Sequence, residues 1–207
     1  MTRGELLTRL RNYFENNVYF STDDFLTSLQ DGYDEAAAFS GCILKAVNLP
    51  YEKDLSYYDM IAKITDFVAV FAIFNSVTKR WMSPVSMKKL DRHRVDWETA
   101  YGTPEYFSVV SHRYLAMYRK PIADDYGDMY VYYVAAAPTL TSDDDIIQIP
   151  DDLAAVLEDY SVTDLQEQQQ EWAKANEYLK IYSGSLTELQ NWAKGRRLPA
   201  RMPQLNG

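Results

Sequence analysis

The residues that could do chemistry are few and scattered along the chain. Asp124, Asp125 and Asp128 surround Gly127 and offer oxygen donors to a hard cation. The loop length and the closing Glu of a calcium loop are missing, so these acids read as turn formers that bond their own backbone. Asp143-Asp144-Asp145 is a second oxygen cluster, best read as keeping the segment ahead of Ile149 solvated. His93 and His112 are the two histidines, and neither stands at a metal-ligand spacing from the other or from Cys42. His93 lies between Arg92 and Arg94, and His112 sits beside Arg113, both surface or interface settings. Glu98 and Glu105 flank a loop and are the carboxylate pair that comes nearest to suiting a wall-degrading glycosidase, although exposed loop carboxylates are the plainer reading. Nucleophile-elbow, phosphate-loop and zinc-protease motifs are absent. The expectation is therefore no catalytic residue, no metal ligand and no cofactor. Lys79, Arg80, Lys88, Lys89, Arg92 and Arg94 form one internal basic cluster, read equally as a solvated helix face or as a contact for an acidic partner.

The elements that must position these residues divide by type. Leu6, Leu7, Leu10, Tyr13 and Phe14 form a short amphipathic helix begun near Thr2 and stopped at Asn16-Asn17. Ser21 reads as an N-cap with Asp24 three residues on, opening a second helix that runs to about Val47 and places Cys42 in a helical, packed setting. From Tyr57 to about Val134 the apolar residues turn β-branched or aromatic. Phe67–Phe74 reads as a strand in a hairpin with Val77–Met82, and 86–92 and 96–101 as helical turns. Phe107–Val110, Arg113–Tyr118 and Met129–Val134 are three more strands, with Lys120–Asp128 as a hairpin tip between the last two. Ile149-Pro150-Asp151-Asp152-Leu153 opens a C-terminal helical region. There Leu165, Gln168, Trp172, Ala175, Leu179, Tyr182, Leu186, Leu189 and Ala193 form one helical stripe. Ser183-Gly184-Ser185 leaves open whether that helix continues or Ser185 caps a new one. The expected architecture is α+β: a helical bundle from residues 1–56 and 139–193, an inserted antiparallel β module at 57–138, and an extended basic tail at 194–207.

Composition narrows the class. The 207 residues carry a net charge of −9, which argues against a surface made to grip nucleic acid. The 17 tyrosines supply contact area with a polar end, as interfaces and β-rich folds both use. A single cysteine excludes an intrachain disulfide, and the apolar run 67–74 is too short to span a bilayer. These features point to a soluble protein made in a reducing compartment.

The order of landmarks resembles the head-to-tail adaptor (connector, tail accessory factor) proteins of tailed bacteriophages, the short-tailed ones in particular. It begins with Leu6-Leu7, Thr22-Asp23-Asp24-Phe25-Leu26 and Asn48-Leu49-Pro50. Met82-Ser83-Pro84-Val85, Trp97 and Gly102-Thr103-Pro104-Glu105-Tyr106-Phe107 follow. Next come Leu115-Ala116-Met117-Tyr118 ahead of Pro121, then Tyr130-Val131-Tyr132-Tyr133 and Pro138-Thr139-Leu140. Ile149–Leu153, Leu157 with Tyr160, and Tyr178 with Tyr182 complete the series. Ser161 and the uniformly apolar run Phe67–Phe74 depart from the pattern.

The resemblance implies a virion structural protein, made in the host bacterial cytoplasm and sited at the neck. It forms a homo-oligomeric ring of about twelve copies. The ring docks under the portal protein, a tail nozzle or tube protein attaches below, and DNA passes through without specific binding; no membrane is involved. Lys194, Arg196, Arg197 and Arg201 in the basic end are the expected portal-docking residues. Two other readings stand beside this one: a tail-borne peptidoglycan-degrading enzyme using Glu98 or Glu105, and a glycan-binding or ligand-binding β module on a helical stalk.

Overall fold

A computed structural model describes residues 1–14, 19–93, 96–124 and 126–196. In chain order its elements are α1 (Arg3–Tyr13), α2 (Thr22–Ser40), β1 (Leu44–Pro50), β2 (Tyr57–Asp59), α3 (Met60–Lys63), β3 (Phe67–Asn75), β4 (Arg80–Trp81), β5 (Ser83–Pro84), α4 (Met87–His93), β6 (Tyr106–Val110), β7 (Tyr114–Tyr118), β8 (Asp128–Ala135), α5 (Ala155–Gln168) and α6 (Trp172–Gly195). The class is α+β, with helices contributed by both ends of the chain and sheet in the middle. Residues 1–43 with 136–207 form one compact unit, and 44–135 form another.

The helical unit begins where its capping residues dictate. Thr2 and Glu5 form a capping box on α1, and Ser21 and Asp24 form one on α2, so orphan N–H groups of each first turn are satisfied. Leu6, Leu7, Leu10, Phe25, Leu29 and Tyr33 are buried, and the rings of Phe14, Phe20 and Phe25 meet at centroid distances of 5.4 to 5.8 Å. At Gly32, α2 lies close against α5, since a Cβ there would be 2.7 Å from Cδ1 of Tyr160. The second helix stops well before Val47. Gly41 adopts φ 63°, the left-handed conformation that closes a helix, and its N–H donates to Ala37 O at 2.9 Å. Leu44–Pro50 is strand, and buried Cys42 sits past the helix end.

The C-terminal stripe is also divided. Residues 151–154 form turns, α5 ends at Gln168, and Gln170 takes φ 63° before α6 begins at Trp172. Leu165 is buried on α5, and Ala175, Tyr182, Leu186, Leu189 and Ala193 are buried on α6. Trp172 and Leu179, expected on the same stripe, are exposed. The α6 helix is continuous through Gly184 and includes Lys194 and Gly195, two residues of the expected extended tail.

In the sheet unit, two four-stranded sheets have the orders β1-β8-β3-β4 and β2-β7-β6-β5. Pairing is antiparallel except for the two-residue contact of β5 with β6. β8 alternates strictly, burying Met129, Val131, Tyr133 and Ala135. β7 and β8 belong to different sheets, so the segment between them crosses from one sheet to the other and is no hairpin tip. Under the second sheet, Leu90, Trp97, Ala116 and Tyr118 pack together, and Trp97 Nε1 donates to Asp91 Oδ1 at 3.0 Å. Asn75 is fully buried. Its amide donates to Pro104 O at 2.7 Å, and its Oδ1 accepts from the N–H groups of Val77 (2.8 Å) and Thr78 (3.2 Å), fixing the β3–β4 turn. The expected helix stop Asn16-Asn17 lies outside the described residues, as do Arg94, Asp125, Arg197 and Arg201.

Candidate functional site

The end of α6 is the best-defined site, because one arginine organises it. Arg196 follows the helix and turns its guanidinium toward the end of α2. Nη1 donates to Cys42 O and Nη2 to Gly41 O, both at 2.6 Å, while Nε donates to Ala193 O at 3.2 Å. The planar fork thus satisfies two carbonyls just beyond the α2 cap, one from each terminal nitrogen. Its guanidinium carbon lies 4.7 Å from the centroid of the Trp192 ring, a cation–π arrangement. Burial draws the pKa of Arg196 down, and burial pushes the Cys42 thiol up, so the thiol stays protonated and unreactive. Lys194 is exposed on the last turn of α6 and donates to Gln190 Oε1 at 2.8 Å. Of the four expected docking residues, Lys194 therefore points to solvent and Arg196 holds two helix ends together. Arg197 and Arg201 are outside the described residues.

The α6 helix is fixed on its buried side by two further polar contacts. Tyr182 OH donates to Glu35 Oε1 of α2 at 2.8 Å, and Ser185 Oγ donates to Asp159 Oδ2 of α5 at 2.8 Å. Burial raises the pKa of Asp159 above the ordinary carboxylate value. At the other end of the chain, the Met1 amine contacts Asp151, and Arg3 pairs with Asp143 at 2.7 Å while donating to Leu140 O at 3.1 Å. The residues after α6 thus leave a helix whose flank and tip are both anchored.

Several of the chemically suggestive residues have a local use. Asp124 Oδ1 accepts the Lys53 N–H at 2.9 Å, and Asp128 Oδ2 accepts from Asn48 Nδ2 at 3.0 Å. Asp145 Oδ2 accepts the N–H groups of Thr141 (2.6 Å) and Ser142 (2.8 Å), which hold its pKa down. Glu98 accepts from Tyr57 OH at 3.2 Å and Glu105 pairs with Arg119 at 3.1 Å, so the two carboxylates serve different neighbours. His112 is exposed at the β6–β7 turn with φ 54°. Among the described residues, no group of His, Cys, Asp and Glu gathers as a metal site. Lys79, Arg80, Lys88, Lys89 and Arg92 are all exposed. The sheet unit has an open cleft of ≈ 380 Å³ lined by Arg80, Trp81, Met82, Pro104, Glu105 and Tyr106. Among the described residues, no helix is long and apolar enough to cross a membrane.

Sequence reasoning missed the latch of Arg196 because its acceptors are backbone carbonyls some 150 positions earlier; their separations are 154 and 155 residues. Gly41 was the available signal, since a glycine closing a helix marks carbonyls in need of donors. No curated protein matches the chain. The model of the SU10 adaptor protein family matches residues 1–203, nearly the whole length, and the chain belongs to that family of phage adaptor proteins.

Proposed function

We propose that this chain is the head-to-tail adaptor of a short-tailed phage. Its copies form a ring of about twelve between the portal and the tail nozzle or tube, and the DNA channel continues through that ring. The family match over residues 1–203 carries the proposal, since adaptors of this kind are structural proteins of the virion neck that associate with portal and tail proteins. Two physical features support it. A net charge of −9 withholds the counterion release that makes DNA-binding proteins tight, as a channel that DNA slides through requires. The Arg196 latch gives the basic segment that follows a fixed point of departure, so Lys194, Arg197 and Arg201 act as the portal-docking cations from an anchored helix end.

Removing residues 197–207 while retaining Arg196 separates docking from folding. The truncated chain should keep its melting temperature and lose binding to portal rings in a pull-down. Binding at the full-length level would refute the role given to Arg197 and Arg201.

A further inference from the structure

Two edges of the first sheet, along β1 and β3, are longer than any other edge in the sheet unit. In the second sheet, β2 is three residues long and its Asp59 is tied to Arg113 at 2.9 Å, while β5 is Ser83–Pro84. Short strands, charges and proline are the usual means by which an edge is made unreceptive. β3 has none of these, and its irregularity is confined to two register shifts against β8, between Phe67 and Ala69 and between Val70 and Ala72. Only Phe74 and Asn75 pair with β4, and the Met82 N–H reaches Ile73 O at 2.8 Å. Among the described residues, no strand pairs with Phe67–Ala72 on the side away from β8. That stretch is uncharged and apolar throughout, and Phe71 is 40% exposed.

The opposite edge is β1. Tyr51 N–H donates to Gly127 O at 2.9 Å, which places Lys45, Val47 and Leu49 in the pairs that face β8. Leu44, Ala46 and Asn48 therefore turn their N–H and C=O groups outward, and Pro50 closes the edge without a donor. No acidic residue occurs in β1 or β3, and the one cation, Lys45, is paired with Asp66 at 2.6 Å.

We propose that these two edges are one interface: β3 of one copy pairs with β1 of the next, and the sheet continues around the ring. The inference rests on the ring assembly proposed above and assigns the surface that builds it. Both β1 and β3 run antiparallel to β8, so they are parallel to each other on opposite edges of one sheet. Rotation about an axis along the strands then sets the next β1 alongside β3 in a parallel ladder, a head-to-tail contact that closes into a ring. The lengths are comparable, with seven residues in β1 and an open stretch of β3 from Phe67 to Ala72 in which Val68 and Phe71 are bulged. Charge favours a second copy as well. Copies that each carry −9 repel over most of their surfaces, and these edges bring no negative charge together.

The test uses full-length chains that each have one edge blocked. Phe71→Lys puts a charge on the exposed β3 edge, and Ala46→Pro removes an outward donor from β1; Val70→Lys and Ala46→Lys serve as second variants should either fail to fold, as read by circular dichroism. Self-association is measured by native mass spectrometry, alone and on portal rings. Each blocked variant should dissociate at least about tenfold more readily than wild type. An equimolar mixture should form heterodimers and nothing larger, because each variant keeps one complementary edge. Wild-type-like association of either variant would overturn the proposal. Homodimers of the β1-blocked variant would show instead that β3 pairs with itself. Full, cooperative occupancy of portal rings by both variants would refute the edge pairing and leave the adaptor reading intact, whereas failure of wild type to bind portal would remove both.

Discussion

Replacing Arg196 with alanine tests the most specific contact at the end of α6. The change removes donors to Gly41 O and Cys42 O, both at 2.6 Å, and the stack on Trp192 at 4.7 Å. Hydrogen bonds from a charged donor contribute about 1.5–3 kcal/mol each when buried. Arg196 is only partly buried, so solvent screening reduces the pair to about 1.5 kcal/mol, and the cation–π contact adds about 0.5 kcal/mol. A loss of about 2 kcal/mol corresponds to a fall in melting temperature of roughly 4–8 °C for a chain of this size. Arg196→Lys should recover less than half of that, because one ammonium cannot serve both carbonyls and stack on the ring. Calorimetry gives the stability change. Hydrogen exchange should locate it at residues 189–196 and at 37–43, the two helix ends joined by the latch. Unchanged melting and unchanged exchange at both ends in Arg196→Ala would refute the reasoning.

Two further substitutions probe each unit separately. Asn75→Ala leaves Val77 N–H, Thr78 N–H and Pro104 O without their partner in a buried turn, and should cost about 3 kcal/mol in denaturant unfolding while leaving the helical unit's exchange pattern unchanged. Asp159→Asn should stabilise the protein at neutral pH. Burial raises the Asp159 pKa above its unfolded value, so the folded chain holds the proton more tightly and stability falls as pH rises from the unfolded through the folded pKa. The amide can still accept from Ser185, and melting curves across pH should show a smaller decline in that window than wild type; an identical decline would remove Asp159 as its source.

Local signals in the sequence were reliable where a side chain speaks to its own backbone. Thr2 with Glu5 and Ser21 with Asp24 announce their helices, and the alternation of Met129–Val134 announces its strand. Errors came where a break leaves no chemical mark or where the partner is distant. Gln170 adopts a left-handed conformation without being glycine or asparagine, so the turn between α5 and α6 looks like uninterrupted helix, and the apolar count runs straight across it. Cys42, Ile43, Leu44 and Val47 extend the apolar rhythm of α2, and this periodicity masked the stop that Gly41 provides. The two-sheet arrangement was not legible because β7 and β8, adjacent in sequence and joined by turn-forming residues, pair with other strands. Of the docking residues, Lys194 and Arg196 looked alike in sequence. Only the fold shows one facing solvent and the other holding the helix ends together.

Cryo-electron microscopy of the phage neck tests the account most directly. It should place rings of this chain between portal and tail, with the helical unit's α6 end toward the portal and unbroken strand density from β3 of each copy to β1 of its neighbour. Density for the chain at any other station of the virion would contradict the adaptor assignment itself.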